Sequence, residues 1–365
     1  MSAAPATALG IDFRVLAAEP EESAAQVIHD VVLGRHDDME ALRRLADGCQ
    51  VVTFDHEHVP PAHLEQLEAM GVAVRPGPSA LFHAQDKVHM RQALTDIDVP
   101  CPRWRVVEAL DHVEAFAEEV GWPVVLKTSR GGYDGKGVWV VDDAPAAADV
   151  LSVPLPAGAQ WLAEERIEFV QELSAQIARS PHGQAVAYPV VRTVQANGIC
   201  AEVVAPAPGL GAERAVEAQE LALRIARDLN VTGMLAVELF DDGQRLYVNE
   251  LAMRPHNSGH WTIEGARTSQ FENHLRAVLD LPLGSPAAVA PHAVMVNILG
   301  GDVPDLYSAY RHVMARDPGL KVHLYGKEVR PGRKVGHVTV VGNDLDDLLA
   351  RGRHAADYFT GAIDE

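Results

Sequence analysis

The chain has 365 residues, enough for two or three domains and a sizeable core. Its formal net charge of −20 excludes a broad nucleic-acid surface, because phosphate backbones are held by clustered Lys and Arg, but leaves room for a local basic pocket around one small phosphate. Three widely spaced cysteines, Cys49, Cys101 and Cys200, speak against a disulfide framework or structural zinc and for a reducing cytoplasm; no apolar run approaches a span of about 18 residues, and no signal peptide or membrane anchor is expected.

In chain order, residues 12–18 (DFRVLAA) and 50–54 (QVVTF) read as buried parallel strands, with a shorter one at 30–33. Helices are expected over 37–46 and 61–70, and this βαβ alternation predicts an open parallel α/β layer over the first eighty or so residues. A helix over 83–96 carries Asp86 and Lys87, and Pro100, Pro102 and Trp104 mark a linker. A strand at 105–107, a helix at 111–120 and a strand at 123–128 precede a Gly-rich loop at 131–137 and a strand at 138–141. Around 161–180 two strands flank a polar loop; a long helix follows at 213–229. Strands 234–240 and 245–250 form a hairpin turning at Asp241-Asp242-Gly243. After a Pro/Ala linker at 282–291 come a strand at 293–298, a helix at 305–314, strands near 320–325 and 335–341, and a last helix at 344–359. The expected class is α/β (α+β), divided into 1–82, 83–290 with a small lid at about 105–165, and 291–365.

Five segments carry chemistry. In VVLKTSRGGYDGKGVWVV (124–141) a strand delivers Lys127 to a loop rich in glycine, whose backbone N–H groups can approach phosphate oxygens without a Cβ in the way. The loop lies between strands, so it reads as a closing flap and not as a P-loop; a hairpin without a ligand would look similar. Glu238 in MLAVELF and Glu250 in LYVNEL sit on the two strands of one hairpin, with Asn249 beside the second. Carboxylates in apolar strands are costly unless a cation compensates them, and Mg²⁺ takes carboxylates together with substrate phosphates; the alternative is that both point to solvent. LAEERIEFVQEL (162–173) offers Glu164 at a hinge and Glu172 as a hydroxyl acceptor, or simply a solvated edge. Arg254, His256, Asn257, Ser258 and His260 crowd the loop after Glu250; a Ser258–His260 nucleophile lacks an elbow motif. Lys327, Arg330, Arg333 and Lys334 form the densest basic cluster, suited to a phosphate monoester or else a solvated hairpin tip.

The strings GGYDGKG, NELAMRPHNSGHWTIEGARTSQFENHLRA and YGKEVRPGRKVGH closely resemble the N5-carboxyaminoimidazole ribonucleotide synthetases, ATP-grasp ligases of purine biosynthesis, over residues 9 to 365. RPHNSGHWT is more specific than the generic flap. The resemblance implies an ATP-grasp fold with an N-terminal pre-ATP-grasp domain and a small β-rich C-terminal domain. It implies that Lys87 and Lys127 contact nucleotide phosphates under a flap made of Gly132, Tyr133, Asp134, Gly135, Lys136, Gly137 and Val138. It gives Glu164, Glu165, Arg166 and Ile167 to adenine, Glu172 to ribose, and adds Gln195 and Asn249 to the ATP set. Glu238 and Glu250 would hold Mg²⁺, with Mn²⁺ as a substitute. Tyr133, Lys136, Glu57, His256, Asn257, Ser258, Lys327, Arg333 and Lys334 would bind the 5-aminoimidazole ribonucleotide and bicarbonate, with Asp134, Arg254 and Lys327 catalytic. A cytoplasmic homodimer is implied, with carboxyphosphate as intermediate.

Two departures from that pattern are visible. The family opens with a strand and a GGGQL-like turn into a helix; MSAAPATALGIDFRVL resembles only the end of that helix and the next strand, so the first strand and its turn are expected to be missing and the ribonucleotide site weakened, unless the chain start is misassigned. In TFDHEHVP (53–60), where the family usually has an acidic residue with an aromatic and Asn nearby, Glu57 fits the expected acid, and Asp55, His56 and His58 match the pattern less well. Competing readings are a formate- or amino-acid-activating ligase working through an acyl phosphate, and a non-catalytic nucleotide-binding protein.

Overall fold

The structure is a computed structural model that describes residues 1–132 and 135–364; the expectations for Tyr133 and Asp134 lie outside the described residues. In the N-terminal part β1 (Arg14–Ala17) pairs in parallel with β2 (Asp30–Leu33), and β3 (Val51–Val52) with β4 (Ala73–Val74). The expected parallel layer is thus split into two-stranded pieces. Pro76, next after Arg75, has no N–H with which to extend β4.

The helix expected over 83–96 is two helices, Pro78–Gln85 and Lys87–Asp96. Asp86 between them is extended, and its carboxylate accepts the His89 N–H at 3.1 Å. An Asp that caps its successor breaks the helical run and aims Lys87 into the first turn.

The lid is a four-stranded sheet, β5 (Trp104–Val107), β6 (Val124–Thr128), β7 (Val138–Val141) and β8 (Trp161–Glu165), in the order β5-β8-β6-β7. Helices Leu110–Val120 and Ala144–Leu151 cover it, burying Val113, Phe116 and Ala147 against Leu126 and Trp161. The second of these helices escapes the sequence reading although Asp143 caps it.

The main sheet, among the described residues, contains β9 (Gln171–Arg179), β10 (Ala185–Ala187), β11 (Val191–Ala196), β12 (Ile199–Ala205), β13 (Gly233–Asp241), β14 (Leu246–Ala252), β15 (His292–Leu299), β16 (Lys321–Leu324) and β17 (Lys334–Gly342). Its order is β14-β13-β9-β11-β12-β15-β17-β16, with β10 on β9. The strands expected around 161–180 therefore belong to different sheets, and the polar loop between β8 and β9 is the crossing from lid to main sheet. The C-terminal strands extend the same main sheet.

Helix Ala212–Asp228 lays Ala218, Ala222, Ile225 and Ala226 on Leu173, Ile177, Leu235 and Val237, an apolar stripe at helical spacing meeting one face of β9 and β13. The last helix, Leu345–Thr360, approaches β15 so closely that a Cβ on Gly352 would lie 2.9 Å from Val296 Cγ2. The helix expected over 305–314 begins as a 3₁₀ turn, Leu306–Ala309, and continues as Tyr310–Arg316.

Candidate functional site

A cleft of about 2970 Å³ opens between the lid, one end of the main sheet and the N-terminal segments. Its floor is the β13–β14 hairpin, in which Glu238 stands directly opposite Glu250. The next pair is Leu239 with Val248, so Asn249 is an extra residue in β14. Such a bulge lets two consecutive side chains reach one face. Asn249 Oδ1 accepts a hydrogen bond from Lys127 Nζ at 3.2 Å, and Glu250 Oε1 accepts one from Lys87 Nζ at 2.6 Å.

Behind this floor lies an ion network in the core. One turn after Lys87, the fully buried Arg91 donates from Nε to Glu164 Oε1 at 2.7 Å and from Nη2 to the Asn249 carbonyl at 2.8 Å. Lys127 Nζ lies 2.7 Å from the other oxygen, Glu164 Oε2. Burial would raise the Glu164 carboxyl, but Arg91 and Lys127 together bring it down to about 2. Its side chain is committed to these cations, so only its backbone remains for an adenine. Sequence reasoning passed over Arg91; the signal was a cation four residues after Lys87 on one helix.

Burial, followed by Glu250 and Glu172, pushes the Glu238 carboxyl up to about 7. Glu250 is held below its ordinary value: burial opposes this, and Lys87, Lys127 and Arg91 outweigh it. Burial lowers the Lys127 ammonium, with Glu164 opposing and Arg91 and Lys87 adding to the effect. Among the described residues, no group of three or more His, Cys, Asp or Glu side chains is arranged to hold a metal ion alone. Two facing carboxylates with an adjacent amide oxygen make an incomplete all-oxygen set, which fits a hard cation completed by phosphate oxygens and water. A cation between Glu238 and Glu250 would offset the burial and the repulsion that together raise the former.

At the lid crossing, Glu165 accepts from Arg103 Nε at 2.8 Å and Arg166 Nη2 lies 3.3 Å from Glu168. Phe169 stacks on Phe240 at 4.9 Å. Glu172 faces Phe240 across β9–β13 and is raised by burial; Gln195 lies at the irregularity in β11. With Ile167 they line one side of the cleft.

The described part of the flap returns along Gly135, Lys136, Gly137 and Val138. Gly137 has φ +75°, and a Cβ there would fall 2.6 Å from Thr128 Oγ1. Gly135 has φ +76°, and a Cβ there would lie 3.0 Å from Gly198 Cα on the β11–β12 turn. The flap base thus rests on a hairpin that the sequence reading did not identify.

At the opposite end, Arg254 Nε donates to Glu57 Oε2 at 2.9 Å, joining the N-terminal part to the loop after β14. Asn257 exchanges two amide hydrogen bonds with Asn297 at 3.0 and 2.7 Å. His256 Nε2 lies 3.6 Å from Glu238 Oε1, and burial, with Arg254 and Lys334, pushes its imidazole down to about 3. Ser258 is buried with no exposure, and its hydroxyl meets Ser174, Gln176 and His256. This corrects its expected place among direct substrate contacts: the side chain stands behind His256.

Tyr325 Oη is hydrogen-bonded to His337 Nδ1 at 2.7 Å, and Lys327 Nζ lies 5.4 Å from the Tyr325 ring centroid. Arg330 pairs with Glu328, Arg333 Nη1 donates to the Glu328 carbonyl at 3.3 Å, and Lys334 opens β17. Lys327, Arg333 and Lys334 all line the cleft.

Residues 92–271 match the ATP-grasp domain, residues 293–351 the phosphoribosylaminoimidazole carboxylase C-terminal domain, and residues 1–85 the ribonucleotide synthetase preATP-grasp domain. The N5-carboxyaminoimidazole ribonucleotide synthase of Mycobacterium tuberculosis is 53% identical over 360 residues, covering 97% of this chain and 84% of the relative. That of Corynebacterium ammoniagenes is 44% identical over 361 residues, covering 97% and 87%. The synthetase structure from Thermus thermophilus superposes with a TM-score of 0.87 at 37% identity, covering 100% of this chain and 96% of that one. The Aspergillus clavatus synthase in complex with ADP and 5-aminoimidazole ribonucleotide gives 0.89 at 31% identity, covering 100% and 96%. The fold, the extent of the match and the identity to these relatives make this chain a member of the N5-carboxyaminoimidazole ribonucleotide synthase family of ATP-grasp ligases.

Proposed function

We propose that the chain carboxylates the exocyclic amine of 5-aminoimidazole ribonucleotide, using ATP and bicarbonate and releasing ADP and phosphate. The observation that carries this reading is one cleft with a paired-acid floor beside buried cations at one end and a basic hairpin at the other. The first end suits nucleotide phosphates and the second a phosphate monoester.

Bicarbonate is a poor electrophile. Transfer of the ATP γ-phosphoryl group to a bicarbonate oxygen gives carboxyphosphate and ADP. The exocyclic amine then attacks the carboxyl carbon, or CO₂ released from carboxyphosphate; phosphate leaves, and the amine loses a proton. Glu238 and Glu250, with Asn249 beside them, would hold Mg²⁺, which would supply neutralisation of the phosphate charge. Lys127 and Lys87 add fixed positive potential where charge develops. Glu165, Arg166 and Ile167 border the adenine position through the lid crossing, and Glu172 reaches the ribose hydroxyls. Lys327, Arg333 and Lys334 bind the ribonucleotide phosphate, and Glu57 with Arg254 frames its sugar and the bicarbonate. Asp134, on the flap, is assigned to the proton of the amine. Flap closure on the β11–β12 turn keeps water from carboxyphosphate.

The test is ADP release in the presence of all three substrates. Release should require both bicarbonate and the aminoimidazole ribonucleotide, with N5-carboxyaminoimidazole ribonucleotide as product. Formate supporting equal turnover would favour an acyl phosphate ligase, and ATP binding without turnover a non-catalytic protein. Sedimentation of the purified chain tests the proposed homodimer, and fractionation of cells tests the cytoplasmic assignment.

A further inference from the structure

We propose that Ser174, Gln176 and Ser258 are positioning residues that lock His256 in the tautomer carrying its proton on Nε2. The ring then presents a neutral N–H donor to an oxyanion arriving beside Glu238. This inference rests on the ligase reading for the identity of that oxyanion, bicarbonate or carboxyphosphate, but the tautomer itself does not depend on it.

The His256 backbone is clamped first. Its N–H donates to Gln270 Oε1 at 2.9 Å, and Gln270 Nε2 donates back to the His256 carbonyl at 2.7 Å. Gly259 makes room for this amide, since a Cβ there would lie 2.4 Å from Gln270 Oε1. The ring is fixed next. Its Nδ1 accepts the Ser258 backbone N–H at 3.4 Å and lies 2.7 Å from Ser258 Oγ. A backbone amide can only donate, so Nδ1 carries the lone pair and the proton sits on Nε2.

The Ser258 hydroxyl agrees with that assignment. Its oxygen receives Gln176 Nε2 at 2.7 Å and meets Ser174 Oγ at 2.9 Å. With Nδ1 unprotonated, the Ser258 proton goes to the imidazole, and Ser174 then donates in the hydroxyl pair, so that each group has a partner. Gln176 Oε1 has no partner in this arrangement. The flipped amide would bury two N–H donors in its place and draw the Ser258 proton away from the imidazole, a worse set of contacts on both counts.

All three residues are at most 1% exposed, so none of them touches substrate. Ser174 is also the β9 partner of Glu238 in the β9–β13 register, which brings the chain of donors back to the carboxylate it serves. At 3.6 Å the Nε2–Glu238 contact is too long for a hydrogen bond, leaving the N–H to a substrate oxygen. The other tautomer would turn a lone pair toward both the carboxylate and that oxygen.

The test is long-range ¹H–¹⁵N correlation on histidine-labelled protein, with kinetics on Ser258→Ala and the milder Ser174→Ala. Wild type should show His256 with its proton on Nε2. Ser258→Ala should show a tautomer mixture and a fall in kcat of roughly 10- to 100-fold, the range for partners that orient a reacting group, with the KM for ATP changed by less than about twofold. Ser174→Ala should give a smaller step in the same direction. A wild-type proton on Nδ1 overturns the proposal without recourse to any variant. So does a Ser258→Ala protein with unchanged tautomer or unchanged kcat. A wild-type protein that fails to turn over its three substrates would instead count against the ligase reading, with the spectrum still legible.

Discussion

The two ends of the cleft hold their charges in different ways. At the nucleotide end Arg91, Glu164 and Lys127 form a closed network in the core, with side chains at most 9% exposed. At the ribonucleotide end Arg330 and Arg333 lie on an exposed hairpin and contact Glu328 of the same hairpin. The first arrangement fixes the potential before any substrate arrives, at the cost of desolvating ions that depend on one another and on Asn249 for their partners. The second leaves cations in water, where they can close on a phosphate. The difference predicts that changes at the first end threaten the fold, and changes at the second affect affinity alone.

The largest effect is therefore expected from Glu164→Leu. It leaves Arg91 and Lys127 buried without the carboxylate that pairs both directly, and stability should fall by about 3–5 kcal/mol, read by urea unfolding. If stability is unchanged, the network is not what holds the lid to the main sheet. Glu250→Gln sits at the edge of the same region but faces the cleft. It should keep the unfolding midpoint near that of the parent while turnover drops by roughly 100- to 1000-fold, the range for losing a preorganised electrostatic group. Turnover near the parent level would remove Glu250 from the metal assignment.

The same contrast governs how much of the molecule can be read from its residues. The paired acids, the flap and the basic hairpin stand out because each needs a residue type that apolar strands or an acidic surface otherwise lack. The supports behind them carry weaker marks. In β14 the buried positions run Leu246, Val248, Leu251, a step of three where alternation demands two, which is the bulge that turns Asn249 and Glu250 to one face. In QELSAQIAR polar Glu172, Ser174 and Gln176 alternate with Leu173, Ala175 and Ile177, a strand with one polar and one apolar face inside the core. Asn197-Gly198, both with positive φ, is the turn signal of the β11–β12 hairpin on which the flap rests. Asp86 reads as one more helical residue until its cap to His89 is seen. The N-terminal layer is harder still, since strands of two residues leave no periodicity to detect.

At the ribonucleotide end Arg333→Ala tests the other half of the contrast. The KM for the ribonucleotide should rise by roughly 10- to 100-fold, the loss expected for one charge-assisted contact, with the KM for ATP and the unfolding midpoint unchanged. A selective effect on ATP would move Arg333 to the wrong end of the cleft.

The smallest effect should come from pH, and here two acids of the nucleotide end have opposite signs. Glu164 is lowered from 4.5 to about 2, so its contribution to stability is present above 4.5 and lost as pH falls through 2. Glu238 is raised from 4.5 to about 7, so the folded state holds its proton more tightly than the unfolded chain. Its ionisation therefore costs stability as pH rises from 4.5 through 7, and the cost levels off above 7. Melting temperatures across this range should decline more for wild type than for Glu238→Gln. Added Mg²⁺ with ADP should flatten the wild-type curve, because the cation takes over the role of the proton between the two carboxylates. If the wild-type and Glu238→Gln curves run parallel, Glu238 and Glu250 do not repel each other strongly enough to call for a cation, and the two ends of the cleft are more alike than their exposures suggest.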